Sequence, residues 1–172
     1  MSIAKKAFII KLMKQDIVNQ THKALLKNKK TVAVAESCTG GLASALLTQI
    51  SGSSKYFILG TVTYSNKSKE AILGVPASLI AEKGAVSYEV ALKMAQNVRK
   101  ITKTDFGLSI TGIAGPTGGT AKKPVGTVFI AVAGRNRNIC RKFCLKGSRN
   151  TVRQNSALKA LELLNSQLLT PS

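Results

Sequence analysis

The sequence has 172 residues, of which 44% are hydrophobic, so it is long enough to bury the core of one ordinary domain. No apolar run approaches the roughly 20 residues of a membrane span, and Lys11 interrupts the early apolar stretch, so we expect a cytoplasmic protein without a membrane partner. The 26 Lys and Arg residues against 7 Asp and Glu give a net charge of +19, which should attract phosphate-bearing ligands and polyanions.

Solvated surface charge is the simpler explanation of this excess, and the aromatic content argues against a dedicated nucleic-acid binder. Only 5% of the residues are aromatic, and no basic stretch alternates with the stacking side chains of single-strand binders. Nonspecific nucleic-acid binding is therefore the most that the charge predicts. The three cysteines lack paired C-x-x-C spacing, so we expect free thiols and no metal site.

The first half of the chain predicts helices that alternate with strands. Residues 1–30 form a basic segment in which the apolar spacing predicts an amphipathic helix over residues 3–26. A short apolar run over residues 31–35 is typical of a buried strand, and the helix that follows opens at Gly40 and Gly41. The next predictions are an extended run over residues 56–64 and a helix over residues 67–73 that ends at Gly74.

The second half continues this alternation and ends in a hairpin and a helix. Ser87 is a candidate N-cap, and a glycine-rich loop over residues 112–124 is a candidate site. The predicted elements are a helical turn at 78–82, a helix from Ser87 to about 101, strands at 106–111, 125–133 and 138–145, and a closing helix at 152–169. This order predicts a single α/β domain with three α/β/α layers and a mixed β-sheet.

A polar cluster at the carboxyl end of the first strand is the strongest local indication of a site. It reads Glu36-Ser-Cys-Thr-Gly-Gly41, and open α/β sheets place ligands at such a strand end. Backbone N–H groups around Thr39, Gly40 and Gly41 could face an anion there. An ordinary helix cap is the alternative interpretation of the same residues.

A serine nucleophile at position 37 needs a base, and histidine is scarce in this chain. His22 is the only histidine and lies in the basic first segment, so a Ser-His-Asp triad is improbable. A lysine with a lowered pKa can replace histidine, and Lys67 and Lys69 follow Tyr64-Ser-Asn66. Spacing alone does not pair either lysine with Ser37, and solvated lysines are the alternative.

Five separated motifs occur in order along the chain: Ala35-Glu-Ser-Cys-Thr-Gly-Gly41, Tyr64-Ser-Asn-Lys-Ser-Lys69, Gly84-Ala-Val-Ser87, Thr111-Gly-Ile-Ala-Gly-Pro116 and Lys123-Pro-Val-Gly-Thr127. Together they resemble the CinA C-terminal family, which includes the nicotinamide mononucleotide amidases. The resemblance implies an amidase domain over residues 31–172 with the three-layer fold and mixed sheet predicted above. Many family members carry an additional N-terminal domain related to molybdopterin-binding proteins. Because the motifs here belong only to the amidase-like part, we expect this chain to act as a stand-alone enzyme.

The resemblance also implies roles for individual residues. Ser37 would be the nucleophile, Lys69 its general base, and Tyr64 an aid to proton transfer or lysine orientation. Cys38 is an alternative nucleophile. The substrate-binding candidates are Thr39, Gly40, Gly41, Asn66, Thr111, Gly112, Gly115, Gly118, Gly119, Arg149 and Arg153, and the two arginines are candidates for the phosphate, with helix-surface charge as their alternative role.

The implied reaction converts nicotinamide mononucleotide to nicotinic acid mononucleotide and ammonia through an acyl-enzyme, without a metal or cofactor. This reaction would belong to pyridine nucleotide recycling. The resemblance also suggests self-association of identical subunits. Two rival interpretations are an inactive family member that binds a nucleotide or a protein, and a nucleic-acid-associated protein with steeply salt-dependent binding.

Overall fold

The structure, a computed structural model, describes the backbone of residues 3–169 and the side chains of residues 15–169. The predicted order of elements is confirmed, with one short 3₁₀ turn added at Ser53–Lys55. The side chains of Lys5, Lys6, Lys11 and Lys14, which belong to the basic first segment, lie outside the described residues. The elements are α1 Ile3–Lys27, β1 Val32–Glu36, α2 Leu42–Thr48, β2 Phe57–Val62, α3 Asn66–Leu73, α4 Ala77–Lys83, α5 Tyr88–Thr102, β3 Phe106–Gly112, β4 Thr127–Ala133, β5 Asn138–Cys144 and α6 Arg149–Leu168.

The sheet is mixed, as the predicted hairpin indicated. Within the described residues it has five strands in the order β2-β1-β3-β4-β5. Strand β1 pairs in parallel with both β2 and β3, whereas β4 runs antiparallel to β3 and to β5. The register places Glu36 opposite Ile110, so the residues that follow β1 and those that end β3 lie side by side at the carboxyl ends of these parallel strands. Open α/β sheets usually bind ligands at the carboxyl ends of their strands.

Helices cover both faces of the sheet, which gives the three predicted layers. One face packs against α1, α2 and α6, and the other packs against α3, α4 and α5. Strand β1 serves both cores because successive side chains alternate: Val32 and Val34 face the α6 side, whereas Ala33 and Ala35 face the α5 side. Each fully buried valine contributes roughly 1.5–3 kcal/mol of transfer free energy.

Helix α1 joins the main core in its second half. Val18 and Leu25 are buried in the same cluster as the residues of α6 that face the sheet. None of the helices in the described part of the chain is long and apolar enough to cross a membrane.

Three serine side chains fix the starts of helices α3, α5 and α6. Ser65 accepts a hydrogen bond from the backbone of Ser68, whose hydroxyl accepts in turn from the Ser65 N–H, and this reciprocal pair begins α3. Ser87 caps α5, as predicted, and Ser148 caps α6. Such caps stabilise a helix by about 1 kcal/mol, and here they also set the helical register of the residues that follow.

Candidate active site

Ser37 and Lys69 lie within hydrogen-bonding distance of each other at the carboxyl end of the sheet. The distance from Lys69 Nζ to Ser37 Oγ is 3.1 Å, although 32 positions separate them in the chain. The Ser37 N–H donates to the Ile110 carbonyl, which ties the serine to β3. Lys69 reaches it from α3, whose capped start determines which helical positions face inward. A hydroxyl and an amine at this distance can act as a nucleophile and its general base.

Lys69 is buried without a carboxylate partner. Its side chain is 1% exposed, and Nζ also donates to the carbonyls of Thr63 at 2.8 Å and Tyr64 at 3.4 Å. None of the ion pairs within residues 15–169 includes this lysine. Burial lowers the pKa of Lys69 below its usual range, and interaction with Cys38 offsets part of this effect. A larger fraction of the lysine is therefore the neutral amine that can accept a proton.

Glu36 organises the turn that carries the nucleophile, a role that the sequence analysis did not predict. Its fully buried carboxylate accepts hydrogen bonds from the backbone of Gly41, Ala43 and Ser44 at 2.9, 3.2 and 2.8 Å, and from the Ser44 hydroxyl at 2.6 Å. The carboxylate thus satisfies the first N–H groups of α2. The sequence did contain one indication of this role, since Glu36 is an acidic residue between a buried strand and the start of a helix.

The N–H groups of Gly40 and Gly41 are occupied within the turn, which corrects the expectation that they face an anion. Gly40 donates to the Ser37 carbonyl at 3.1 Å, and Gly41 donates to Glu36. The N–H groups of Cys38 and Thr39 donate to no other residue in the described part of the chain. Thr39 is fully buried, whereas Cys38 borders the cleft described below, so the Cys38 N–H is the available donor next to the nucleophile.

Cys38 is poorly suited to act as the nucleophile. The side chain is 5% exposed, and burial raises the pKa of its thiol to about 12. Because the thiolate is the reactive form, the raised pKa leaves almost none of it near neutral pH. Ser37 rather than Cys38 is therefore paired with the base.

A cleft of about 270 Å³ opens directly onto the Ser37 and Lys69 pair. Two larger grooves, of about 440 Å³ beside α5 and about 460 Å³ between α2 and α6, contain neither residue. The smaller cleft is therefore the candidate site. It is lined by Ser37, Cys38, Tyr64, Lys69, Ala85, Val86, Thr111, Gly112, Ile113, Ala114, Gly115, Thr117, Gly118 and Arg149.

Arg149 and Tyr64 bridge the two walls of this cleft. The Arg149 guanidinium donates to the Gly115 carbonyl at 2.9 Å and to the Tyr64 hydroxyl at 2.7 Å. Tyr64 is 57% exposed, and it contacts Lys69 through its backbone carbonyl. The hydroxyl of Tyr64 therefore bonds to Arg149, while any orientation of the lysine comes from the main chain.

Arg153 lies behind the nucleophile turn instead of in the cleft. Its Nε donates to the Cys38 carbonyl at 3.2 Å, and Nη2 donates to the Thr39 carbonyl at 2.9 Å. The guanidinium is thus engaged with backbone, and Arg153 is absent from the residues that line the cleft. Its predicted role as a phosphate ligand has no support in this geometry.

Comparisons with known proteins agree with this fold. The profile of the CinA C-terminal domain matches residues 14–168. The chain belongs to the CinA C-terminal domain family. This result confirms the resemblance that the five motifs indicated.

Two curated relatives and two solved structures illustrate the similarity. A competence-damage inducible protein from Thermoanaerobacter sp. (strain X514) is 53% identical over 147 residues, which cover 86% of this chain and 36% of the relative. A CinA-like protein from Geobacter sulfurreducens is 49% identical over 140 residues, which cover 81% of this chain and 34% of the relative. The chain therefore spans about a third of the length of these relatives.

The solved structures match over nearly their whole length. The competence/damage inducible protein CihA from Agrobacterium tumefaciens has a TM-score of 0.87 and 36% identity, covering 91% of this chain and 96% of that one. The competence damage-inducible protein A from Klebsiella pneumoniae has a TM-score of 0.88 and 28% identity, covering 92% and 99% respectively. Both similarities support the CinA fold for this chain.

Within this CinA domain, the cleft brings together most of the predicted site residues but not all. Thr39 is fully buried, and its hydroxyl has no partner among the described residues. Asn66 is exposed in the first turn of α3. The predicted residues absent from the cleft lining are Thr39, Gly40, Gly41, Asn66, Gly119 and Arg153.

Two of the predicted site residues, Thr111 and Gly119, support the walls of the cleft. The Thr111 hydroxyl donates to the Ala85 carbonyl at 2.9 Å and so ties the end of β3 to the segment before α5. A Cβ atom on Gly119 would lie 2.8 Å from the Val125 nitrogen, so glycine allows the two arms of the loop to approach. Gly119 therefore shapes the loop from outside the cleft.

Proposed function

We propose that this chain is an amidase that hydrolyses the carboxamide of nicotinamide mononucleotide to give nicotinic acid mononucleotide and ammonia. The observation that carries the proposal is the 3.1 Å contact between Ser37 Oγ and the buried amine of Lys69 in a cleft. This pair supports serine and lysine acyl-transfer chemistry. The choice of substrate rests on membership of the CinA family, whose motifs resemble those of nicotinamide mononucleotide amidases.

In the proposed mechanism, the neutral amine of Lys69 accepts the proton of the Ser37 hydroxyl while Oγ attacks the carboxamide carbon. The carbonyl oxygen becomes an oxyanion, and the N–H group of Cys38, a residue that lines the cleft, is the candidate donor that stabilises it. The Lys69 ammonium then transfers its proton to the amide nitrogen, the carbon–nitrogen bond breaks, and ammonia leaves. An ester between Ser37 and the nicotinoyl group remains.

Water then hydrolyses the ester, with Lys69 again acting as the base. Lys69, neutral again, accepts a proton from water, whose oxygen attacks the ester carbon. The carbon–Oγ bond breaks, Ser37 regains its proton from Lys69, and the carboxylic acid is released. All the groups required belong to the chain, the substrate and water, so this mechanism uses no metal or cofactor.

The cleft suggests how a mononucleotide would be oriented. Its volume of about 270 Å³ is at the lower end for small-molecule sites, which favours entry of the pyridine ring while the ribose phosphate stays near the opening. Arg149 lines the cleft and can bind a phosphate through two parallel hydrogen bonds if it releases Tyr64 or Gly115. Arg149 is therefore the phosphate candidate that remains.

Product analysis with matched lysine variants tests this function. The parent protein is incubated with nicotinamide mononucleotide, and both ammonia and nicotinic acid mononucleotide are quantified. We expect Lys69→Ala to abolish turnover, while Lys67→Ala, which removes an exposed lysine from the same helix, retains it. Loss of activity in both variants, or in neither, would contradict the assignment of the base.

The phosphate assignment has a separate test in the substrate. Nicotinamide riboside lacks the phosphate, so it should be hydrolysed with a higher KM than the mononucleotide, and Arg149→Gln should reduce this difference. A folded parent protein that binds the mononucleotide without hydrolysing it would favour an inactive, nucleotide-binding member of the family. Self-association, a cytoplasmic location and nonspecific nucleic-acid binding stay predictions.

A further inference from the structure

We infer that Arg153 is a positioning residue, which holds the nucleophile turn in its reactive geometry without touching the substrate. This inference deepens the proposed function because it concerns the same serine and lysine site. Its basis is the pair of hydrogen bonds from one guanidinium to two successive carbonyls, at 3.2 Å to Cys38 and 2.9 Å to Thr39. No other arginine in the described residues donates to this turn.

The two bonds constrain the orientation of the N–H groups in the turn. A trans peptide unit is planar, and its C=O and N–H groups point in opposite directions. When Arg153 holds the Cys38 carbonyl, it therefore directs the Thr39 N–H away from itself, and this N–H has no acceptor among the described residues. Arg153 thus fixes the orientation of the peptide unit between Cys38 and Thr39, next to the nucleophile.

The turn is held from two sides by oppositely charged side chains. The Glu36 carboxylate accepts from the N–H groups that follow the turn, whereas the Arg153 guanidinium donates to carbonyls within it. Ser37 lies directly after Glu36 and directly before Cys38, the first residue that Arg153 holds. Because both attachments are charge-assisted hydrogen bonds, they are stronger than the neutral bonds of an ordinary turn.

Gly40 provides the space that Arg153 needs. A Cβ atom at this position would lie 3.2 Å from Arg153 Nη2, and the backbone φ of +59° is one that favours glycine. The first glycine of the Glu-Ser-Cys-Thr-Gly-Gly motif therefore accommodates the guanidinium and the bend of the chain. This role explains why the motif contains a glycine that does not line the cleft.

Arg149 provides the natural contrast, because it lies one helical turn before Arg153 on α6. The two residues are four positions apart and so share one side of the helix. Arg149 reaches the Gly115 carbonyl and the Tyr64 hydroxyl at the cleft, whereas Arg153 reaches the back of the turn. A binding role and a positioning role are thus separated between neighbouring arginines.

The experiment compares kcat and KM for nicotinamide mononucleotide in three variants that each remove one positive charge. Arg153→Gln should lower kcat by about 100-fold with little change in KM, since a small displacement of reacting groups has an effect of this size. Arg149→Gln should mainly raise KM, by about tenfold. Arg141→Gln, at an exposed position of β5, should match the parent protein and so controls for net charge.

A second readout is independent of the nicotinamide substrate. Ser37 is phosphonylated with a small alkyl fluorophosphonate: Oγ forms the bond to phosphorus, fluoride leaves and Lys69 takes the proton. Labelling is followed by mass spectrometry. Arg153→Gln should slow this labelling, whereas Arg149→Gln should not. If the parent protein labels at Ser37 but does not hydrolyse the mononucleotide, the proposed substrate fails while the inference about Arg153 can still be judged.

Several outcomes would overturn the inference. A raised KM with unchanged kcat in Arg153→Gln would assign the residue to substrate binding, and labelling as fast as in the parent would remove the positioning role. If Arg153→Gln does not fold, Arg153→Lys replaces it, because lysine keeps the charge but lacks the planar fork that spans both carbonyls. Parent-like kcat in a folded Arg153→Lys would also contradict the inference, and a parent with neither turnover nor labelling would exclude both proposals.

Discussion

Replacement of Lys69 by methionine should abolish catalysis and, at the same time, change the way stability depends on pH. Methionine is similar in length to lysine and suits a buried site, but it carries no proton. Lys69 is 1% exposed, and burial lowers the pKa of its ammonium in the folded protein. In the unfolded chain the same group titrates near its ordinary value of about 10.4.

The size of the effect follows from proton linkage. Between the lowered pKa of the folded state and about pH 10.4, the unfolded chain binds more protons than the folded protein. The free energy of unfolding of the parent therefore rises with pH by up to about 1.4 kcal/mol per unit within this window. Below the folded pKa, the parent carries the full penalty of the buried charge. In a protein of this length, 1 kcal/mol shifts Tm by about 2–4 °C.

The loss of the Lys69 hydrogen bonds lowers the free energy of unfolding of Lys69→Met by an amount that does not vary with pH. The Thr63 carbonyl loses the donor at 2.8 Å, and an unsatisfied buried carbonyl costs about 1–3 kcal/mol. This cost opposes the gain from removing the buried charge, so the comparison must cover a range of pH to separate the two. The quantity to measure is the difference in free energy of unfolding between Lys69→Met and the parent as a function of pH.

Urea unfolding from about pH 6 to about pH 10 provides this measurement. The stability of Lys69→Met relative to the parent should be greatest at low pH and should fall as the pH approaches the ordinary lysine value. Lys67→Met supplies the baseline for loss of an exposed lysine from the same helix. A difference that stays flat over the whole range would refute the claim that burial lowers the pKa of Lys69.

Three further predictions concern the same site. The value of kcat/KM should rise with pH up to the lowered pKa of Lys69 and then level off, because the neutral amine is the base; a profile that falls over this range would contradict that role. Cys38→Ala should retain most of the activity, and iodoacetamide should leave Cys38 of the folded parent unmodified near pH 8, since its thiol has a pKa of about 12; rapid alkylation would be inconsistent with this burial. Glu36→Gln should lower the free energy of unfolding by about 1–3 kcal/mol in urea titrations, as four hydrogen bonds to its carboxylate are weakened, and an unchanged midpoint would argue against its structural role.

The order of elements was predictable because each element leaves a local pattern in the sequence. Strand β1 is apolar on both faces, with valines on one and alanines on the other, and Gly74 ends α3 in the left-handed conformation that favours glycine. The boundaries were less accurate. Helix α6 begins at Arg149, three residues before the predicted start, because the Ser148 side chain accepts a hydrogen bond from the Thr151 N–H. The spacing of apolar residues does not reveal such a cap, because the capping side chain is polar.

The contacts of the site depend on tertiary structure, and the sequence alone did not provide them. The distance between Ser37 and Lys69 follows from parallel pairing of β1 with β2 and from the capped start of α3. Recognition of the family motif predicted this pair, whereas spacing left Lys67 and Lys69 equivalent. The contacts of Arg153 could not be predicted from the sequence, because its backbone partners, the Cys38 and Thr39 carbonyls, lie more than a hundred positions earlier in the chain.

The most direct test of the central claim is the rate of ammonia release from nicotinamide mononucleotide by the parent protein and by Ser37→Ala. Circular dichroism should establish that both proteins are folded. The account predicts steady release by the parent, with an equal amount of nicotinic acid mononucleotide, and none above background by Ser37→Ala. A folded parent that releases no ammonia, or a Ser37→Ala protein that releases it as fast as the parent, would contradict the account.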